Sequence, residues 1–163
     1  MNQREYDWVK QNRKVLLDFC SVLDEKDFNL RVEGFGFQSI KETLIHVADC
    51  YHAWIGSFIL LKTTKPITPK EHVIHVSIND IKQRFEQADK FVNEFFETYS
   101  EQMDVPIQKS IPWRVAEEII SMTPRKLMMH TITHEYHHKG QIVSMARIMG
   151  YQPPNTDILG AAD

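Results

Sequence analysis

The sequence has few cysteines, no long apolar run and no apolar leader, and each absence excludes a class of protein. Its 163 residues contain two cysteines, too few for a disulfide framework. The longest apolar run, 58–61, is far too short to span a bilayer. The polar first residues are not followed by the apolar segment of a signal peptide. We therefore expect a cytoplasmic protein that does not bind membranes.

The charged residues exclude a second class. The formal net charge is -3, and no stripe of lysine and arginine provides the positive surface that nucleic acid binding requires. Apolar residues make up 42% of the chain, which is typical of a globular protein. We expect a single domain over residues 1–163 that does not bind nucleic acid. Histidine is unusually frequent, and four of the eight histidines lie between His130 and His138.

Apolar residues recur at helical spacing in four long segments, and no segment has a strong strand pattern. Ser39, Ser77 and Thr123 are typical N-cap residues, and Glu42 follows Ser39 at the spacing of a capping box. Gly150 is typical of the left-handed residue that follows a helix. The predicted helices cover about residues 2–22, 39–62, 77–99 and 123–149. On the first helix, the predicted buried face contains Trp8, Asn12, Val15, Phe19 and Val22.

The lengths of these segments predict an all-α four-helix bundle with long crossover connections. The connection at 63–76 can extend over ~45 Å at ~3.3 Å per residue, which is enough to cross the bundle. The second and third helices can therefore run parallel to each other. A further short helix is predicted at 115–121.

One face of the fourth helix is apolar at its ends and polar in its middle. Polar side chains at the centre of a buried face are costly unless they are paired or bind a metal. His134 and His138, one turn apart, can contact one ion at ~2.1 Å. They can equally be hydrogen-bonded or partly exposed histidines without a ligand, and the pattern leaves both interpretations open. The face contains Leu127, His130, His134, His138, Gln141, Met145 and Met149.

Residues 134–138 match the H-E-x-x-H pattern of zinc peptidases, in which Glu135 would be the general base. The extended form of that pattern needs a glycine and a histidine where this chain has Gln141 and Ser144. No glutamate follows Glu135, and no strand is predicted upstream to bind a peptide. We interpret the match as accidental. Among the other histidines, periodicity does not select a third ligand from His46, His52, His72 and His75.

Two segments resemble the signature helices of a known family. LIHVADCYHAWI (44–55) and HTITHEYHHKGQIVSMARIMGYQPP (130–154) are similar to the DinB/YfiT-like superfamily, damage-inducible metal-binding bundles distinct from the DNA polymerase called DinB. The resemblance covers essentially the whole chain. It implies a divalent metal site, zinc or nickel, formed by His46, His134 and His138, with the fourth position left for water or substrate. It also implies a homodimer.

The resemblance leads to expectations for the neighbouring residues. Glu135 is expected to face another helix or solvent instead of acting as a peptidase base. Cys50 is expected to be a small buried side chain and not a nucleophile. Asp49 either orients His46 or is an exposed carboxylate. Three further side chains either contribute to the site or are polar residues of the surface or helix interfaces: His130, His137 and Gln141.

The function implied by the resemblance is a metal-dependent enzyme of stress or detoxification. Its reaction would be S-transfer with a small-molecule partner, a low-molecular-weight thiol such as bacillithiol or mycothiol. The alternatives are a metal-dependent hydrolase and a non-catalytic metal- or ligand-binding stress protein. A purely structural bundle without metal is a further alternative. The sequence does not identify catalytic residues beyond the metal ligands.

Overall fold

The computed structural model describes residues 1–115 and 118–163, and four long helices dominate it. They are α1 (Gln3–Cys20), α3 (Ile40–Tyr51), α5 (Ile78–Tyr99) and α6 (Pro124–Ile148). The end of α3 continues directly into a π-helix (His52–Ile59). Shorter elements are α2 (Glu25–Phe28), α4 (Lys70–Val73), strands β1 (Ile107–Ser110) and β2 (Ile119–Met122), and a 3-10 turn (Ile158–Gly160). The predicted all-α bundle is confirmed.

The helix starts follow the predicted caps. The side chains of Ser39, Ser77 and Thr123 each accept a hydrogen bond from the amide three residues later. At Ser77 the capping box is complete, because the Asp80 carboxylate accepts the Ser77 amide at 2.8 Å. The Glu42 carboxylate instead accepts the amide of residue 38, so the box predicted at Ser39 is half formed.

The long crossover between α3 and α5 makes these two helices parallel. Asp49 of α3 pairs with Arg84 of α5, and Lys62, just beyond the π-helix that continues α3, pairs with Glu94 further along α5. Residue numbers therefore rise together along the interface, as predicted from the length of the connection.

By contrast, α3 and α6 are antiparallel. His46 contacts His134 and His138, whereas the later residue Cys50 contacts the earlier residue His130. This arrangement places the histidine-rich segment of α6 beside the middle of α3.

Three local predictions were wrong. A short helix was predicted at 115–121, but residues 119–122 form a strand that pairs antiparallel with β1. Residues 116 and 117 of that predicted helix lie outside the described residues. The second long helix ends at Ile59 and not near Lys62. The buried face of α1 is also rotated, because Val15 is 41% exposed while Arg13 is buried beside the predicted Asn12. The predicted Val22 lies beyond the end of the helix and is 78% exposed. In the described residues, none of the helices is long and apolar enough to cross a membrane.

The π-helix packs closely against α5 at a glycine. A Cβ atom at Gly56 would lie 2.6 Å from the Phe91 ring. We expect Gly56→Ala to lower the free energy of unfolding by about 1–3 kcal/mol, because the ring must move within a packed core. Denaturant unfolding would measure this loss.

Gly140 offers a matched control for that substitution. It lies within α6, and a Cβ atom there would meet nothing within 4 Å. We expect Gly140→Ala to stabilise the protein by up to about 1 kcal/mol, because alanine is the better helix former. Equal stability of Gly56→Ala and the wild type would contradict the close packing at Gly56.

Candidate metal centre

Three histidines from two helices meet where α3 packs against α6. His46 comes from α3, and His134 and His138 come from α6. One ring nitrogen from each lies within 4.8 Å of the other two, and the Nε2 atoms of His46 and His134 are 2.8 Å apart. The structure therefore brings together the three residues that the resemblance selected, in a group that can hold a metal ion.

The group lies at the rim of the bundle and not at the centre of a buried face. His138 is buried, His46 and His134 are half-buried, and His130 is exposed. Three residues of the predicted face are buried: Leu127, His138 and Met145. The other buried residues of α6 lie mostly to one side of that face, and include Met128, Thr131, Glu135 and Ile142. The predicted burial is therefore confirmed for His138 and wrong for His130, which is exposed, while His134 is half-buried. The rim position leaves one side of the group open to solvent.

Gln141 sets the tautomer of His138. The amide oxygen of Gln141 lies 2.7 Å from Nδ1 of His138. Because this oxygen can only accept, Nδ1 donates and Nε2 carries the free lone pair. The Gln141 amide nitrogen donates in turn to Nε2 of the exposed His137 at 3.1 Å. Gln141 thus contributes to the site by holding a candidate ligand.

Phe37 forms a wall of the group that the sequence did not reveal. Its ring stacks on His46 with centroids 4.0 Å apart and meets the His138 ring edge-on at 5.8 Å. Phe37 lies in the loop before α3, where helical periodicity carries no information. A contact of this kind fixes the orientation of His46.

The electrostatics of the group suit a metal ion. Burial, followed by the neighbouring His138, lowers the pKa of His46 to about 4 and that of His134 to about 3. Burial also lowers the pKa of His138. The imidazoles are therefore neutral near pH 7, and neutral imidazole is the form that coordinates metals. The donor set fits a divalent transition metal.

Glu135 does not face this group. Its carboxylate accepts two hydrogen bonds from Arg13, both at 2.9 Å, and one from the Tyr51 hydroxyl at 2.6 Å. Only 6% of Glu135 is exposed. Glu135 was expected to face either another helix or solvent, and it faces helix α1. The carboxylate is committed to an interhelical ion pair, which excludes it as the general base of a peptidase.

Asp49 has neither of its two predicted roles. The carboxylate is buried and accepts hydrogen bonds from the Thr68 amide at 2.7 Å, the Thr68 hydroxyl at 2.9 Å and Arg84 at 2.7 Å. It therefore attaches the crossover connection to α3 and α5. Thr68 and Arg84 are distant in sequence, so helical spacing alone did not reveal these contacts.

Cys50 is buried, as expected, and lies beside a second histidine. Burial raises the pKa of its thiol to about 12, so the free thiol is protonated and a poor nucleophile. Its Sγ atom is 3.8 Å from Nε2 of His130. The potential ligand atoms of Cys50, His130 and His134 also lie within 4.8 Å of one another. The sequence did not predict this pairing.

Gln141→Ala is expected to weaken metal binding by about 10–100-fold, the usual effect of losing a hydrogen bond that orients a ligand. Competition with a chromophoric chelator would measure the affinity. Ser144→Ala is the matched control, because Ser144 is exposed on α6 and bonds only to the Gly140 carbonyl among the described residues. Equal affinities for Gln141→Ala and Ser144→Ala would contradict this role of Gln141.

Comparison with known proteins agrees with this architecture. The model of the DinB family matches residues 1–163. Over 161 residues the chain is 25% identical to the uncharacterized protein YizA of Bacillus subtilis (strain 168), and the match covers 96% of this chain and 91% of YizA. The family match spans both helices that bring the histidines together. The chain therefore belongs to the DinB family.

Proposed function

We propose that this protein binds zinc or nickel through His46, His134 and His138 and acts as a metal-dependent thiol S-transferase. The observation that carries the proposal is the convergence of three neutral imidazoles at a solvent-accessible rim. A site with three protein ligands keeps a coordination position for a reactant. A bound divalent ion would supply Lewis acidity, which lowers the pKa of a thiol or water that binds there.

The protein's own residues would prepare the ligands and shape the site. Gln141 keeps Nε2 of His138 free of a proton, and Phe37 holds the His46 ring by stacking. The open side faces solvent, so a small molecule can reach the histidines without a rearrangement of the bundle. These contacts support a small-molecule substrate.

The disposition of the carboxylates favours thiol transfer over hydrolysis. Hydrolysis benefits from a general base that takes a proton from water. Glu135 and Asp49, the carboxylates nearest in sequence to the ligands, are each held in an ion pair with an arginine. A thiol depends on such a base less than water does, because a thiol is far more acidic than water and its thiolate is a strong nucleophile. Its sulfur would bond to an electrophilic carbon of the acceptor, and the leaving group would depart with the bonding electrons.

The test is an assay of metal-loaded protein with a low-molecular-weight thiol and an electrophilic acceptor. We expect consumption of the thiol and release of the leaving group, both dependent on metal and both lost in His138→Ala. Ser144→Ala should retain the activity, because Ser144 lies outside the histidine group.

Two other outcomes would overturn the proposal. A metal-loaded protein that hydrolyses the acceptor without consuming thiol would be a metal-dependent hydrolase. A metal-loaded protein with neither activity above the rate without protein would be a non-catalytic metal-binding protein. The homodimer and the cytoplasmic location stay predictions.

A further inference from the structure

A second set of ligand-type side chains lies one helical turn from the three histidines. Cys50 follows His46 by four residues on α3, and His130 precedes His134 by four residues on α6. Because the two helices are antiparallel, both steps lead in the same direction along their interface. The histidine group is therefore repeated one turn away, with a sulfur donor in the place of one imidazole.

The contacts within this second set are longer than those in the first but still bring three potential ligand atoms together. Sγ of Cys50 is 3.8 Å from Nε2 of His130, and the rings of His130 and His134 have centroids 5.3 Å apart. All three potential ligand atoms lie within 4.8 Å of one another. The Trp54 ring meets His130 edge-on at 5.9 Å and limits its movement on that side.

The burial of the three side chains suits an ion that arrives from solvent. Cys50 is 7% exposed and held by the core, His134 is half-buried, and His130 is exposed. The thiol is thus fixed in position at the inner end of the set, while an imidazole at the surface is accessible to an incoming ion.

We infer that Cys50, His130 and His134 form a second cation site, which binds a thiophilic ion such as Cd(II) or Cu(I). One sulfur and two imidazoles are softer donors than three imidazoles, and soft ligands select soft ions. Binding replaces the thiol proton, which is released to solvent, by a metal–sulfur bond. Since His134 belongs to both sets, the two sites compete for it and a soft ion is drawn to the sulfur. The inference does not depend on the proposed S-transferase activity.

The test is a titration of the reduced full-length protein with Cd(II), followed by the ultraviolet charge-transfer absorption of a thiolate–cadmium bond. Imidazole ligands do not produce this band, so it reports sulfur coordination alone. We expect the wild type to develop the band and to saturate at about one equivalent, the occupancy of a single site. The band should be absent in Cys50→Ser.

Two control variants distinguish binding at this site from binding at the other cysteine or at the three-histidine group. Cys20→Ser should retain the band, because Cys20 is buried in α1 and belongs to neither set. His46→Ala removes a ligand of the three-histidine group alone and should also retain the band. Failure of the three-histidine site to bind metal would therefore leave this result unchanged.

His130→Ala tests the exposed ligand with little risk to folding. We expect its Cd(II) affinity to fall by more than about 10-fold, because loss of a ligand costs at least as much as loss of an outer hydrogen bond. The inference is overturned if the wild type shows no band, or if Cys50→Ser keeps it. An unchanged affinity in His130→Ala would also overturn it.

Discussion

Glu135→Ala is expected to lower the free energy of unfolding by about 3–5 kcal/mol, the cost of leaving one partner of a buried ion pair alone. Arg13 is 3% exposed, and its Nε and one terminal nitrogen both donate to Glu135. Without the carboxylate, the guanidinium keeps its half-buried partner Asp89 but loses the fully buried one. The Tyr51 hydroxyl also loses its acceptor, which by itself costs about 1–3 kcal/mol.

Denaturant unfolding would measure this loss of stability, and two further variants serve as a control and a comparison. Asp104→Ala breaks an exposed bidentate pair with Arg125 and should leave stability near that of the wild type. The double variant Arg13→Met/Glu135→Leu should be more stable than Glu135→Ala, because it removes both fully buried charges. The Asp89 carboxylate loses Arg13 in this variant, but it is half-buried and still accepts a hydrogen bond from Tyr6. If Glu135→Ala does not fold, Glu135→Gln retains a hydrogen-bond acceptor and should show a smaller loss.

A free energy of unfolding within about 1 kcal/mol of the wild type for Glu135→Ala would contradict the role assigned to the ion pair. The same variants also test the resemblance to zinc peptidases. Folded Glu135→Gln should still take up metal, since the carboxylate faces α1 and not the histidines.

His134→Ala is expected to abolish stoichiometric metal uptake. The residue belongs to both groups of potential ligands, and its removal leaves His46 and His138 in one and Cys50 and His130 in the other. Two protein ligands are fewer than the three or four that zinc sites in proteins use. Elemental analysis after purification without chelator would measure the metal content.

His75→Ala is the matched control, because it removes an exposed histidine outside both groups. We expect about one equivalent of zinc or nickel in the wild type and in His75→Ala, as for one three-histidine site. Metal retained by His134→Ala at that level would place the ion elsewhere. No metal in the wild type, even when zinc is offered, would favour a purely structural bundle.

Local sequence signals predicted the helices well and the buried faces less well. The caps at Ser77 and Thr123 are bonds between residues three apart, so the sequence contains both partners. The buried face of α1 was misplaced because the charged Arg13 lies among its apolar residues, such as Val9 and Leu16. The burial of Arg13 depends on Glu135, which is 122 residues away.

The residues of the candidate site also divide into those that the sequence predicted and those that it did not. The spacing of His134 and His138 on one helix was sufficient to propose that they act together. His46 was selected by the resemblance, because periodicity placed it at the margin of its apolar stripe. Phe37 had no sequence signal, because it lies in the loop before α3, where helical periodicity carries no information. The pairing of Cys50 with His130 had none either, because the two residues are 80 positions apart in the chain.

The sequence by itself determined where the long helices begin, that the bundle has a crossover, and that two histidines share one face of α6. These properties depend on hydrogen bonds, spacing and chain length within one segment. Only the tertiary structure decided that Glu135 is a buried ion-pair partner and that the histidines lie at an accessible rim. Burial of a charge is stable only beside its partner, and that partner is set by how the helices pack.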